Sequence, residues 1–166
     1  KRSVSGALNK TLNRLNRQLL ALNKEPWQET DFNSRDSLPP GLIHALQAFT
    51  ADTSEQLASD PTFLHRHPLL MDFYFEVLQF LRVADQWDDD YRFELSRTQE
   101  QQSLCVTLNC LDPARLLAVR QQRAHAVIAF SATLSPQRWA RSSLGLAQQA
   151  VCSRATSPFA SDQLKV

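Results

Sequence analysis

Hydroxyl side chains follow an apolar run near residue 130, and they are the residues whose types and spacing most directly indicate chemistry. The run Ala126–Phe130 is apolar throughout, and serine or threonine then occupies positions 131, 133 and 135. A short apolar run of this kind is typical of a buried strand. Because ligands and moving loops meet at strand ends in α/β sheets, hydroxyl groups there could exchange hydrogen bonds between two functional states.

The six residues Ser131–Pro136 form the sequence S-A-T-L-S-P. This sequence resembles motif III of the XPD/DinG family of superfamily-2 DNA helicases, in which a buried strand ends in S-[AG]-T-L-S-P. Three flanking segments are similar to the bacterial members in the same order: Leu108–Ala114, Leu144–Leu146 and Ser157–Phe159. Together the four matches cover about residues 104–160.

The resemblance implies a role for each residue of this segment. Ser131 and Thr133 would exchange hydrogen bonds between a carboxylate near the nucleotide and a group near the DNA. Ala132 would keep the turn tight, and Ser135 would cap the helix that begins with Pro136. Leu134 completes the motif.

The resemblance also implies a fold of the α+β class. In these helicases an all-helical arch domain is inserted in the first motor domain, between the D-E-A-H motif and motif III. Residues 1–88 would be an N-terminal helical, arch-like bundle. Residues 89–148 would be the end of the first RecA-like motor domain, as an incomplete α/β segment. Residues 149–166 would lead towards the second motor domain.

The parts of a helicase that bind phosphate are missing from this sequence. None of its three glycines stands in a G-x-x-x-x-G-K-[ST] loop, and there is no D-E-A-H or arginine-bearing motif VI. The only methionine is Met71, so we expect an internal piece of a longer enzyme. ATP and Mg²⁺ would then be bound by the parent protein. This chain alone would hold no cofactor and would not hydrolyse ATP.

Helical periodicity predicts three helices in the first half. The first, over about 5–24, has leucines recurring at steps of four and three residues. Residues 25–38 are predicted to be a loop. Pro40 favours the start of a second helix that Pro61 ends, and a third helix is predicted over 67–87. Its wide apolar face predicts that the third helix is the most buried.

After Asp88–Asp90 the period of the apolar residues changes from helical to two, so we place a domain boundary there. The predicted elements are two strands of a hairpin (91–96 and Leu104–Leu108), a helix from Pro113 to about Gln122, a buried strand Ala126–Phe130, and a short helix from Pro136 that Gly145 ends.

The predicted strands would belong to a parallel sheet whose other strands lie outside this chain. Strand edges without neighbours invite pairing with another copy. We therefore expect a compact helical bundle over 1–87. The β segments are expected to pair between chains, to swap, or to pack against that bundle.

Basic residues are concentrated at the amino end. Residues 1–24 hold six basic and no acidic residues, whereas the remainder holds 12 basic and 17 acidic residues. Lys10, Arg14 and Arg17 fall opposite the leucine stripe. They could contact phosphates of single-stranded DNA, or they could simply form a solvated face.

Other reactive side chains favour structural roles. The three cysteines are too few for a disulfide framework and fit a reducing cytoplasm. An iron–sulfur cluster is possible in the parent, but these positions do not match its pattern, and small buried side chains are expected. No metal site is predicted at His65–His67 or among the aspartates of 85–90. Trp27, Trp87 and Trp139 could stack on bases, but core or domain-junction packing is expected.

No apolar run approaches the roughly 18 residues of a membrane helix, so no membrane partner is expected. The leading hypothesis is that this chain is part of an ATP-dependent DNA helicase, which would move 5′ to 3′ on single-stranded DNA in repair or replication. The alternative is a non-enzymatic helical interaction module with a small α/β appendage.

Overall fold

Helices and a small antiparallel sheet make up the part of the chain that the structure describes. The computed structural model describes residues 4–25, 31–97, 103–131 and 134–155. The chain divides into two compact units, the first ending at Leu111 and the second beginning at Asp112. The mixed α and β composition expected from the sequence is confirmed, with the sheet lying entirely in the first unit.

The first helix, α1 (Gly6–Lys24), is fixed by a cap and by its leucine stripe. Ser5 is the N-cap, and its side-chain oxygen accepts a hydrogen bond from the Leu8 backbone N–H at 3.2 Å, which satisfies one of the free donors at a helix start. All five leucines of the stripe are buried or pack against the core. The predicted helix and its inward face are therefore confirmed.

Helices α2 (Pro40–Ser59) and α3 (Pro68–Ala84) complete the helical layer, and a 3₁₀ turn (Leu64–Arg66) lies between them. The prediction that α3 is the most buried helix is wrong. Helix α2 buries five side chains and α3 buries two. The apolar residues of α3 spread around more of its surface than its neighbours cover, so that Leu69 and Phe75 remain exposed.

The predicted hairpin is confirmed. Strands β2 (Tyr91–Arg97) and β3 (Leu104–Cys110) pair antiparallel, with Phe93 opposite Leu108. Alternate residues of β2 are buried, and Phe93 and Leu95 lie in the same core as the helices. The period of two seen in the sequence therefore marks the face that packs on the helical layer.

A further strand, β1 (Phe32–Arg35), lies where the sequence predicts only a loop. It pairs antiparallel with β2, with Phe32 opposite Ser96, so the sheet order is β1–β2–β3. Its sequence F-N-S-R has a single apolar residue and hence no usable period. The strand forms because the edge of β2 offers backbone hydrogen-bond partners. The sheet is thus antiparallel, and the parallel sheet expected over this region is not observed in the described residues.

The first unit extends through the hairpin to Leu111, whereas the sequence placed a boundary near Asp88–Asp90. The reason is burial. Exposing the side chain of Phe93 or of Leu95 would cost about 1.5–3 kcal/mol each, so the hairpin packs on the helices. Strands β2 and β3 pack against the helical bundle, which is one of the three outcomes expected for the β segments.

The second unit contains α4 (Ala114–Gln121) and α5 (Gln137–Ser143). Both helices lie within the predicted ranges. Among the described residues of this unit, Ala140 alone is buried. Apolar burial therefore contributes little here, and other contacts must hold the two helices in place.

A charged turn joins α2 to α3. Asp60 is largely buried at the end of α2, and its carboxylate accepts hydrogen bonds from the Arg66 guanidinium and the Thr62 hydroxyl. The Arg66 hydrogen bond is the main cause that lowers the pKa of Asp60 below its ordinary value of 3.8, and burial opposes it. The ionised carboxylate therefore stabilises the fold above that value, and this contribution is lost as the pH falls below it.

Burial on α2 and exposure on α3 give a direct stability prediction. Phe49 is fully buried, with its ring centroid 5.2 Å from that of Phe73. We expect Phe49→Ala to lower the free energy of unfolding by about 3–5 kcal/mol. Phe75 is 57% exposed, so Phe75→Ala should change the free energy of unfolding by about 0.5 kcal/mol or less. Urea unfolding followed by circular dichroism measures both, and equal losses would contradict this account of the core.

Candidate functional site

The segment that resembles motif III lies between α4 and α5 in the second unit. Its described members are Ser131, Leu134, Ser135 and Pro136, whereas Ala132 and Thr133 lie outside the described residues. Leu134 is half-buried, and the other three described members are exposed. Ser131 and Ser135 are thus surface residues of the second unit.

The prediction of a buried strand at Ala126–Phe130 is wrong. These residues form neither a helix nor a strand, and the side chains of Ile128 and Phe130 are 85% and 90% exposed. An apolar run becomes a strand only if another strand supplies its backbone partners. The described strands pair only with one another in the first unit, so this run has no such neighbour.

The prediction that Ser135 caps the following helix is also wrong. Helix α5 begins at Gln137, its N-cap residue is Pro136, and no side chain makes a capping hydrogen bond. Proline occupies the cap position with an extended backbone, which moves Ser135 one residue too far from the helix. The Ser135 hydroxyl is therefore not needed for the start of α5.

Two contacts connect α4 to the end of α5. The Gln121 side-chain amide donates a hydrogen bond to the Leu144 carbonyl at 2.7 Å. Gly145 has a φ of +62° and lies so close to α4 that a Cβ there would be 2.1 Å from the Ala114 carbonyl oxygen. Only glycine fits both the left-handed backbone and this approach. The prediction that Gly145 ends the helix is confirmed, and the glycine also sets the spacing of the two helices.

Arg141 fixes the chain that follows α5. Its guanidinium donates to the carbonyl oxygens of Gln148 at 3.1 Å and Ala150 at 2.7 Å. A third contact, 3.4 Å long, joins the same group to the Cys152 sulfur. Sequence analysis did not single out this residue. The available signal was charge, because residues 112–166 contain seven basic and only two acidic residues.

The run that precedes the motif-like segment lines a cavity. His125, Ala126 and Val127 face a space of about 490 Å³ that Gln121 and Leu146 also line. The cavity therefore lies between the end of α4, this run and the chain that follows α5.

The predicted basic stripe is exposed. Lys10, Arg14 and Arg17 all lie on the solvent side of α1 in the first unit, opposite the buried leucines. They share one helix face and could meet one phosphate backbone. The motif-like segment belongs to the other unit, so the candidate residues form two separate groups.

The remaining candidates differ in part from expectation. Cys105 and Cys152 are exposed and Cys110 is half-buried, so the expectation of small buried side chains is wrong for the first two. Cys105 lies on the outward face of a strand, and Cys152 lies in a segment without helix or strand, so neither side chain is covered. Within the described ranges, no three His, Cys, Asp or Glu side chains are grouped as metal ligands would be.

The tryptophans also separate. Trp87 packs against the core, with its ring 5.8 Å from that of Tyr91, as expected. Trp139 is 64% exposed, so core packing is wrong for this residue, because the second unit has little core to receive it. Trp27 lies outside the described residues.

Comparisons with known proteins assign no family to this chain. No family model matches the chain, and no curated protein or solved structure is detectably similar to it. None of the helices in the described ranges combines the length and apolar character needed to cross a membrane.

The close approach at Gly145 gives the second prediction. Gly145→Ala should destabilise the second unit by more than about 1 kcal/mol, since a left-handed non-glycine residue costs about 1–2 kcal/mol and the Cβ would also clash with α4. Hydrogen exchange at Ala114–Gln121, followed by mass spectrometry, should become faster. Gly6→Ala is the control, because nothing lies within 4 Å of its added Cβ. Unchanged exchange in Gly145→Ala would contradict the proposed helix spacing.

Proposed function

We propose that this chain is an internal part of an XPD/DinG-like, ATP-dependent DNA helicase of the bacterial branch. The observation that carries the proposal is the order of four short matches along the sequence, centred on Ser131–Pro136. One such match alone is a weak signal, because many strand ends carry serine and threonine. Four in the family's order are much more specific.

The second unit would couple the ATP state to the grip on DNA. In this role Ser131 and Thr133 exchange hydrogen bonds between the nucleotide side and the DNA side. The exposure of the Ser131 side chain supports the role, since a coupling hydroxyl must reach groups outside its own segment.

The helical part of the first unit would guide the DNA strand as an arch domain does. Helices α1–α3 precede the motif-like segment, as the arch precedes motif III in the family. The exposed stripe of Lys10, Arg14 and Arg17 offers phosphate contacts along one helix face. The packing of β2 and β3 on these helices is a feature that the proposal must accommodate, because the sequence had assigned the strands to the motor domain.

The parent enzyme would supply the catalytic parts. A phosphate loop and a D-E-A-H motif would precede Lys1 in the longer sequence and would bind ATP and Mg²⁺. An iron–sulfur cluster is possible in the parent. The parent would act on single-stranded DNA in the cytoplasm during repair or replication. The flanking gene sequence tests this directly, and a complete gene without motor motifs would refute it.

The coupling role predicts a separation of activities. In the full-length enzyme, Thr133→Ala should leave the Kd for ATP nearly unchanged and lower unwinding about tenfold more than hydrolysis, the value of one hydrogen bond to a charged group. Ser142→Ala is a matched control, because Ser142 is an exposed hydroxyl residue of α5 that lies outside the motif-like segment. Unwinding and ATPase assays measure the ratio. Equal loss of ATP binding and unwinding would count against coupling.

The strand-guiding role predicts a change in salt dependence. Replacing Lys10, Arg14 and Arg17 by glutamine should weaken binding of single-stranded DNA. The slope of log K against log salt should fall by about 2, at roughly 0.7 per phosphate contact. Lys24→Gln with Arg82→Gln removes exposed charges outside the stripe and should change the slope little. An unchanged slope in the stripe variant would leave these residues as a solvated face.

A second candidate function is a non-enzymatic interaction module, and one feature favours it. The first unit has an apolar groove of about 360 Å³, lined mainly by residues of α2, α3 and β3. Such a groove is typical of sites that accept an apolar helix or strand. The two functions are distinguished by the flanking gene, since the module requires no motor motifs.

A further inference from the structure

The two edges of the sheet differ in how well they are protected against other strands. Strand β1 has four residues, includes Arg35, and lies between Asp31 and Asp36. Strand β3 has seven residues and contains no charged residue and no proline. Short length, charge and proline are features by which edge strands avoid pairing with other chains. The β3 edge has none of them, so it is the edge of this sheet that can accept another strand.

Backbone hydrogen-bonding groups of β3 point alternately towards β2 and away from it. The Leu111 N–H donates to the carbonyl of Asp90, the residue directly opposite, at 2.7 Å. Hydrogen-bonded pairs alternate with non-hydrogen-bonded pairs along antiparallel strands. The even-numbered residues of β3 therefore direct their N–H and C=O groups away from β2. In the part of the chain that the structure describes, no strand pairs with this side of β3.

The helix-facing side chains of β3 are less well covered than those of β2. Phe93 and Leu95 on β2 are 0% and 1% exposed. Leu108 and Val106 lie opposite them on β3 and are only half-buried, because an edge strand has a neighbour on one side only. Part of this uncovered surface borders the groove of about 360 Å³ in the first unit, which Leu104 and Val106 line. A strand added to β3 would direct alternate side chains to the same side of the sheet and would cover this surface.

The sequence of β3, L-C-V-T-L-N-C, is complementary to itself in the antiparallel direction. Placing Thr107 opposite Thr107 of a second copy aligns all seven residues, and Val106 then lies opposite Leu108. This register joins even-numbered residues to even-numbered residues, as the outward backbone groups require. Apolar side chains meet on the helix side, and Cys105 meets Asn109 on the outer side. No like charges are opposed, and the central hydroxyl pair is a favourable one across strands.

We propose that β3 is a self-association edge, at which two copies of this chain pair antiparallel and join their three-stranded sheets into one of six strands. The two-fold axis passes between the two Thr107 residues, perpendicular to the sheet, so both helical layers lie on the same side. The protected β1 edges then lie at the two ends, and assembly stops at two copies. Glu76 is the one charged residue among the described lining residues of the groove, and its exposed side chain can remain in water.

Proline variants at the two edges of the sheet, made in the 166-residue chain, test the proposal. Val106→Pro removes an outward N–H and places a ring against the second copy, whereas the hydrogen bonds between β2 and β3 remain. Ser34→Pro is the matched control on β1. There the Arg97 N–H donates to the Asp31 carbonyl, and the same alternation directs the Ser34 N–H away from β2. Sedimentation velocity at micromolar concentrations measures the dimer fraction, and circular dichroism checks folding.

The unchanged chain should form a dimer whose fraction rises with concentration. Val106→Pro should raise the Kd of the dimer by about thirtyfold or more, from two hydrogen bonds lost across the two-fold axis. Ser34→Pro should change the Kd by less than about threefold. A chain that stays monomeric, assembly beyond two copies, or equal losses in the two variants would overturn the proposal.

Thr107→Lys is a second variant, chosen because it should preserve the hairpin. Within one chain the new lysine lies opposite Glu94, which is a favourable pair, whereas in the dimer two lysines lie directly opposite each other. The Kd of the dimer should rise by about threefold or more, and added salt should reduce the rise because it screens the repulsion. An unchanged Kd at low salt would contradict the proposed register.

Single cysteines locate the register directly. After Cys105, Cys110 and Cys152 are replaced by serine, Thr107→Cys and Asn109→Cys are compared; both positions are exposed on the same face of β3. In the proposed dimer the two Cα atoms at position 107 are about 4.5 Å apart, which allows a disulfide, whereas those at position 109 are about 13 Å apart. Mild oxidation should therefore link only the Thr107→Cys chains, as seen on non-reducing gels. Equal linking of the two variants would indicate random collision and overturn the proposal.

Self-association through β3 goes beyond the proposed function and does not rest on it. The measurements use this chain without nucleotide or DNA. Their outcome is therefore separate from that of the helicase proposal, which is tested by the flanking gene and by Thr133→Ala.

Discussion

Burial of one face of the sheet against the helices is the constraint on which the first unit depends. Phe93 and Leu95 on β2 are buried together with leucines of α1 and phenylalanines of α2 and the following turn. Strand β2 lies in the centre of the sheet and pairs with both β1 and β3, and apolar residues of β3 also pack against the core. The contact therefore joins residues far apart in sequence and extends the unit to Leu111.

The second unit is held together by different means. With Ala140 alone buried in its described part, it relies on the close approach at Gly145, the hydrogen bond from Gln121 to Leu144, and the anchoring of the chain by Arg141. These contacts fix backbone positions but cover little apolar surface. The consequence is that Ile128, Phe130 and Trp139 remain on the surface, close in sequence to the hydroxyl residues of the motif-like segment. Side chains suited to binding are therefore available to a partner.

Two groups of basic residues differ in physical character. Lys10, Arg14 and Arg17 form an open stripe on a helix, where each charge is screened by solvent. Arg115, Arg138 and Arg141 line one cavity, and backbone carbonyls fix the guanidinium of Arg141. Within the proposed helicase the stripe would guide the DNA strand.

Local sequence determined the helices and the hairpin. The leucine stripe of α1, the prolines at the starts of α2 and α3, and the alternation in β2 are short-range patterns, which arise from the geometry of one element and can be recognised without knowing its neighbours. The motif-like segment was also located from sequence, through its residue order. Its environment was not, because Ala126–Phe130 has the composition of a buried strand whether or not a neighbouring strand exists.

Only the tertiary structure decided which elements lie together. Strand β1 has no apolar period and exists because β2 offers it backbone partners. The first unit extends past the predicted boundary because Phe93 and Leu95 are buried on helices that precede them by many residues. The packing of α4 on α5 at Gly145 places Arg115 beside the same pocket as Arg138 and Arg141. The sequence could show that the second unit was rich in arginine, but not that three of these residues share one pocket, because that depends on distances between elements.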